Sequence, residues 1–416
     1  MSTSLSIAFP YGNMSVKTWS NRRRWLSVVG PLLLMALASP LLMSTKDCPF
    51  GILGLLATCW CIWTGFVFRR TAWWALNLAA VLFALSLVEG FLYWRVAGKT
   101  NVKKGVRPPV MGTSGPSDSS EAAFETTDLL GTVPVPNSRV SHSLKYGGKT
   151  IFDIVYNVDA HGLRIIPTPD SKADPETVAF FGCSFTFGEG VGDQEALPAQ
   201  VAACAPELHI VNFAYSGYGP HQMLANLESG RVRQICPRAP KVVVFQVIPD
   251  QVRRVKGWIS YNRHAPRFVL DDGTVRRAGN LDDRWWTPQA WPFLWRSRIF
   301  SKLLAPRLVG QADLDLAVAL IRQSADEVAR QFPGCEFHVL FWNHFDQHLA
   351  VPLRRELHAA GIRLHDVETI IPDLEKHGKK YFIPRDGHPN AETHRLLAEY
   401  VCREILGERR VSHSDQ

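Results

Sequence analysis

Two short segments carry side chains suited to acyl chemistry. Phe181-Gly182-Cys183-Ser184-Phe185-Thr186-Phe187-Gly188-Glu189-Gly190 sets a serine just beyond an apolar run. A serine hydroxyl is a weak nucleophile until a base removes its proton. Near the other end stands Asp386-Gly387-His388-Pro389-Asn390. Imidazole titrates in the right range for that task, and a carboxylate beside it fixes its tautomer. Spacing of i and i+2 around Gly387 lets Asp386 turn back to the His388 ring. Between these segments, Asn212-Phe213-Ala214-Tyr215-Ser216-Gly217-Tyr218-Gly219 offers the Gly217 amide to a developing oxyanion. Each residue also has a plainer reading: Ser184 as a helix cap, Asp386-Gly387 as a turn, Gly217 as a bend. His338, His344 and His394 lack comparable context and are read as structural or surface groups.

The surrounding pattern says what positions these groups. Short apolar runs at Thr177–Gly182, His209–Phe213, Lys241–Ile248, Glu336–Trp342 and Ile362–Val367 predict strands. Helical stretches fall between them at Gln194–Cys204, Gln222–Arg231, Ala312–Gln331 and Phe345–Ala360, and a last one at Ala391–Leu406. Continuously apolar strands alternating with helices predict a parallel sheet covered on both faces, an α/β three-layer domain of flavodoxin-like type. Such sheets bind ligands beyond the carboxyl ends of their strands, where Ser184 and Gly217 fall. Upstream, Lys145–Ile166 alternates through Thr150-Ile151-Phe152-Asp153-Ile154-Val155-Tyr156 and ends at Gly162-Leu163-Arg164, predicting a short β element docked on the main domain.

These blocks, in this order, resemble the SGNH (GDSL-type) hydrolases over residues 176–406. The stretch from Ser184 to Gly190 and the His388-Pro389-Asn390 turn look like bacterial envelope members of that family. The resemblance implies Ser184 as nucleophile, His388 as base and Asp386 as its orienting partner. It implies an oxyanion hole built from the Ser184 and Gly217 amides. Two departures accompany it: Cys183 stands where the family has aspartate, and Val247-Ile248-Pro249-Asp250-Gln251 has no asparagine, leaving Gln251 as a substitute donor. The Asp-to-His spacing of two is similar to that of members resembling polysaccharide O-acetyltransferases. The implied activity is that of a serine esterase or O-acyltransferase acting on acyl groups of an envelope glycan or lipid. An inactive domain that binds glycan or organises an assembly is the alternative.

Charge and hydropathy locate the rest. The chain has 416 residues and a formal net charge of +8, but residues 1–107 hold 12 Lys/Arg against Asp47 and Glu89. The remainder is slightly acidic, so the basic excess marks membrane topology and not nucleic-acid binding. Apolar stretches at Trp25–Met43, Gly51–Phe68 and Ala72–Trp94 are each near the ~20 residues a membrane-spanning helix needs. They predict a membrane anchor over 1–98. Arg22, Arg23, Arg24, Arg69 and Arg70 favour a cytoplasmic side, which sends the following domain to the periplasmic or extracellular side. Lys99, Lys103, Lys104 and Arg107 oppose this, though long domains translocate regardless of flanking charge. Ala36-Leu37-Ala38 also resembles a signal-peptidase site; cleavage there leaves two spans and the same outcome.

Residues 99–138, rich in Pro, Ser, Gly and Thr, read as a flexible linker. The β element then covers 139–175 and the α/β domain 176–407, with an insertion at 252–311 and a tail at 408–416. Trp285, Trp286, Trp291 and Trp295 in the insertion are suited to packing its core, stacking on sugar or resting on a membrane. Arg253, Arg254 and Lys256 are suited to pairing with an anionic substrate, with a solvated charged face as the default reading. Cys204, Cys236, Cys335 and Cys402 either form disulfides in an exported domain or remain buried thiols. Spacings suited to zinc, phosphate loops or dinucleotides do not occur, so no metal or cofactor is expected.

Overall fold

The computed structural model describes residues 54–62, 72–99, 124–167, 175–259, 261–284 and 294–407. The first apolar stretch, most of the linker, Trp285, Trp286, Trp291 and the tail at 408–416 lie outside them. The chain divides into two units, one comprising 1–100 with Phe293–Leu304 and the other the remainder.

The larger unit is built on five parallel strands. They are β5 (Glu176–Phe181), β6 (Leu208–Asn212), β7 (Pro240–Val247), β10 (Glu336–Phe341) and β11 (Arg363–Asp366). Their order across the sheet is β11-β10-β7-β5-β6, every pair parallel. This is the flavodoxin-like order, with its switch point between β5 and β7. Side-chain alternation makes the layers. Val178 and Phe180 of β5 join Val242 and Val244 of β7 in one cluster, while Ala179 and Phe181 join Val243 and Phe245 in another. Successive residues of a strand point to opposite faces, so one unbroken apolar run feeds two cores. Among the helices, α3 (Leu197–Cys204) and α8 (Ala391–Tyr400) cover the first face, and α4 (Pro220–Glu228), α6 (Gln311–Gln331) and α7 (Gln347–Ala359) the second.

Three antiparallel hairpins decorate this core. Strands β3 (Arg139–Tyr146) and β4 (Lys149–Asn157) form the expected β element. The pair β1 (Phe124–Thr127) and β2 (Gly131–Pro134) corrects the linker, whose last part is folded. Leu130, between these strands, is 3% exposed and belongs to the main core, and the Thr132 N–H donates to Asn262 Oδ1 at 3.1 Å. Leu130, with the half-buried Leu129 and Val133 packed on the same core, gives this end of the segment apolar surface to bury, which the Pro/Ser/Gly average conceals. In the insertion, β8 (Pro266–Asp271) and β9 (Thr274–Asn280) pair around Asp272-Gly273. Both turn residues have positive φ, +46° and +77°, the backbone a two-residue hairpin favours.

In the smaller unit, 54–62 is helical and α1 runs over Ala72–Lys99. Within α1, Trp73–Leu92 has a mean hydropathy of 2.0 and is, among the described residues, the one helix long and apolar enough to cross a membrane. Leu76, Val81, Phe83 and Leu87 stand exposed along it. Against the three spans expected, the first stretch is outside the described residues and the second is described only over 54–62.

Candidate active site

Ser184 opens α2 (Ser184–Phe187), a single helical turn at the carboxyl end of β5. First-turn amides of a helix have no intrahelical acceptor, so the Ser184 N–H is available to a ligand. Close approach shapes this turn: a Cβ on Gly182 would meet Thr186 Oγ1 at 2.0 Å, and φ there is +152°. Thr186 Oγ1 in turn donates to Gln246 Oε1 at 2.7 Å, tying the turn to β7 across the switch point. Cys183 is wholly buried beside Arg254.

Asp386 and His388 are held by a closed loop before α8. The Ile383 N–H donates to the His388 carbonyl at 2.8 Å, and Asn390 caps α8 by accepting the Thr393 N–H at 3.1 Å. Asp386 Oδ2 lies 2.6 Å from His388 Nδ1 and also accepts the His388 N–H at 3.3 Å. A carboxylate only accepts, so Nδ1 carries the proton and the neutral ring presents a lone pair at Nε2. The loop and the α2 turn meet at this imidazole. The Phe185 ring packs edge-on to His388 with centroids 5.5 Å apart, and Glu189 Oε2 lies 3.6 Å from Nε2. The residue after Ser184 thus packs on the His388 ring, while no hydrogen bond joins the Ser184 and His388 side chains among the described residues.

Glu189 and His142 are site residues that the sequence reading passed over. Glu189 is buried, accepts the Ser216 hydroxyl at 2.7 Å and has His142 Nδ1 at 4.0 Å. Burial pushes the His388 pKa down, but the charges of Glu189 and Asp386 and the Asp386 hydrogen bond outweigh it, and the net shift is upward. His142, on β3, is shifted down, chiefly by burial. The signal for Glu189 was in the sequence as a carboxylate inside Gly188-Glu189-Gly190, five residues after the serine; nothing there told which way it would face.

The second and third blocks arrive differently. Gly217 has φ of +80° in the turn closed by the Tyr218 N–H on the Tyr215 carbonyl at 3.1 Å, directly after the Ser216 that binds Glu189. A Cβ there would press on the Tyr261 ring at 3.0 Å. Gln251 opens α5 (Gln251–Arg254), is buried, and its Nε2 donates to the Gln246 carbonyl at 3.1 Å. One of the two protons of the amide offered to an oxyanion is therefore engaged with the end of β7. Arg254 is not a solvated residue: it is 5% exposed, donating to Asp250 Oδ2 from Nη2 at 3.0 Å and to the Tyr218 carbonyl at 2.7 Å. The expected structural histidines behave as such where they are packed. His394 is fully buried, accepts the Leu197 N–H at 3.1 Å, and is pushed down to about 3 by burial.

Among the described residues, no group of three or more His, Cys, Asp or Glu side chains is arranged to hold a metal ion. Cys204 and Cys402 form a disulfide between α3 and the last described helical turn, with Cα atoms 6.7 Å apart, while Cys236 and Cys335 form no disulfide among the described residues.

No family model matches the chain, and no curated protein does. Solved structures similar to it include a member of the lipolytic protein G-D-S-L family from Veillonella parvula DSM 2008. That likeness has 13% identity and a TM-score of 0.35, covering 56% of this chain and 98% of the other. A putative lipolytic protein of the same family from Desulfitobacterium hafniense DCB-2 has 13% identity, 55% and 98% coverage and a TM-score of 0.34. A catalytic mutant of Axe2, an acetylxylan esterase from Geobacillus stearothermophilus, has 16% identity, 58% and 96% coverage and a TM-score of 0.34.

Proposed function

We propose that this chain is a membrane-anchored serine esterase or O-acyltransferase. Its substrates are ester-linked acyl groups of an envelope glycan or lipid, met on the periplasmic or extracellular side. The observation that carries the proposal is the 2.6 Å contact between Asp386 Oδ2 and His388 Nδ1, on an imidazole packed against the turn that bears Ser184.

The Ser184 hydroxyl attacks the ester carbonyl while His388 Nε2 takes its proton. Asp386 holds the ring and favours the imidazolium, and the Glu189 carboxylate adds to that. The oxyanion is met by the Ser184 and Gly217 amides. His388 then returns the proton to the leaving alcohol. Water, or a sugar hydroxyl in a transferase, takes the acyl group from Ser184 by the same route reversed. The Cys204–Cys402 disulfide supports an oxidising compartment, and Trp73–Leu92 supports an anchor.

The Gln251 amide, turned to the Gln246 carbonyl through one of its protons, favours a second reading, a glycan-binding domain without turnover. One missing oxyanion donor costs about 3 kcal/mol of transition-state stabilisation. The full-length protein incubated with a fluorophosphonate and with simple acetyl esters decides between them. An adduct on Ser184, absent in Ser184→Ala, is expected. A folded wild-type protein that takes no adduct while binding glycan establishes the second reading instead.

A further inference from the structure

The third apolar stretch carries one ionisable group in its described part, Glu89, which is 2% exposed and three residues short of the end of the Trp73–Leu92 span. A carboxylate at that depth needs donors, because lipid supplies none. Glu89 finds them on a segment more than two hundred residues later. Ser297 Oγ donates to Oε2 at 3.1 Å, the Ile299 N–H donates to it at 2.8 Å, and the Arg298 N–H donates to Oε1. Ser297 Oγ also accepts the Phe300 N–H at 3.1 Å, so Ser297 and Glu89 together satisfy the turn that opens this segment. At 1.5 Å rise per residue, the contact lies roughly 4–5 Å inside the end of the apolar window.

The segment's make-up suits that depth. Residues 293–307 carry Arg296, Arg298, Lys302 and Arg307 and no acidic residue. Leu303 and Leu304 are 37% and 50% exposed, and Trp295 packs edge-on to Phe300 with centroids 5.7 Å apart. Aromatic and leucine side chains beside charged residues that are all basic characterise elements that lie in the lipid–water interface, where anionic headgroups attract the bases.

We propose that residues 294–304 form an interfacial element seated in an anionic lipid surface and latched to the membrane span by Glu89. The proposal rests on the reading of Trp73–Leu92 as a span. By it, the α/β domain is held to the bilayer through its insertion as well as its N-terminal anchor, which favours acyl substrates presented at the membrane.

The test uses the full-length protein in phosphatidylethanolamine/phosphatidylglycerol vesicles, with its other free cysteines replaced by serine. An environment-sensitive probe is attached at L304C or, as span control, at F83C, and spin-labelled lipids serve as quenchers. Both probes are expected to be quenched. In Glu89→Ala the position-304 probe is expected to lose most of its quenching and the position-83 probe none, whereas Glu89→Gln, which keeps an acceptor oxygen, retains most of it. A quenched probe at 83 with an unquenched probe at 304 in the wild-type background overturns the interfacial element and leaves the anchor standing. Unchanged quenching at 304 in Glu89→Ala overturns the latch. An unquenched probe at 83 overturns the anchor itself, and this inference with it.

Discussion

His388 sits between two carboxylates, Asp386 at Nδ1 and Glu189 near Nε2, with the buried Arg254 charge opposing them. A base works only when neutral, and the net upward shift of His388 means that activity rises with pH through a point above the ordinary histidine value. Glu189→Gln removes a stabilising charge from the imidazolium. The acid limb of kcat/KM is therefore expected to move to lower pH, by roughly one unit for each 1.4 kcal/mol of interaction lost. An unmoved limb in a folded Glu189→Gln protein removes Glu189 from this role. Asp386→Asn acts on the other nitrogen. It no longer enforces a proton on Nδ1, and kcat is expected to fall by roughly 10³–10⁴ with little change in KM, read from steady-state turnover of an acetyl ester.

At the scale of elements, the loop after Ser184 is built from outside the sheet. Arg164, which follows the β3–β4 hairpin, is 2% exposed and donates to the carbonyls of Phe187, Gly188 and Val191 at 2.6–2.7 Å and to Asp193 at 2.8 Å. Tyr156 of β4 accepts the Gly190 N–H at 2.8 Å. The hairpin thus holds the segment that carries Glu189. Arg164→Ala takes the guanidinium donors from the Phe187 and Val191 carbonyls and leaves Asp193 to Asn157 and the Gly188 carbonyl to the Val191 N–H; a loss of about 3–5 kcal/mol is expected in denaturant unfolding, with activity falling at temperatures where the fold persists. Here the sequence was partly legible. Gly162-Leu163-Arg164 marked the end of a docked β element, and the five sheet strands fall within one or two residues of their apolar runs. The β8–β9 hairpin carries a local signal as well, Asp272-Gly273 at its turn. The β1–β2 hairpin was not, because its stability comes from Leu130 entering a core formed by residues far along the chain.

At the scale of the whole molecule, the Cys204–Cys402 disulfide joins residues 198 apart, closing nearly the entire α/β domain between α3 and the last helical turn. In the chain-entropy description a loop of that size contributes about 5 kcal/mol. Reduction, or Cys402→Ser, is expected to lower the unfolding midpoint of the purified protein. Thiol counting under denaturing, non-reducing conditions is expected to find Cys204 and Cys402 unreactive and Cys236 and Cys335 reactive. Equal labelling of all four indicates a chain that folds without the bridge.

The amino-acid sequence alone determined the layers and the ends at which chemistry is sought. Apolar runs of strand length alternating with amphipathic helices have few ways to bury both faces, and turn chemistry after a strand is local. It also brought Asp386 to His388, since two residues around a glycine need no partner elsewhere. Tertiary structure decided what local pattern does not encode: that Glu189 faces Nε2, that Gln251 turns to the Gln246 carbonyl, and which two of the cysteines pair. Orientation of a side chain in a packed site is set by neighbours from other strands and loops, and those neighbours become adjacent only when the sheet has closed over its two cores.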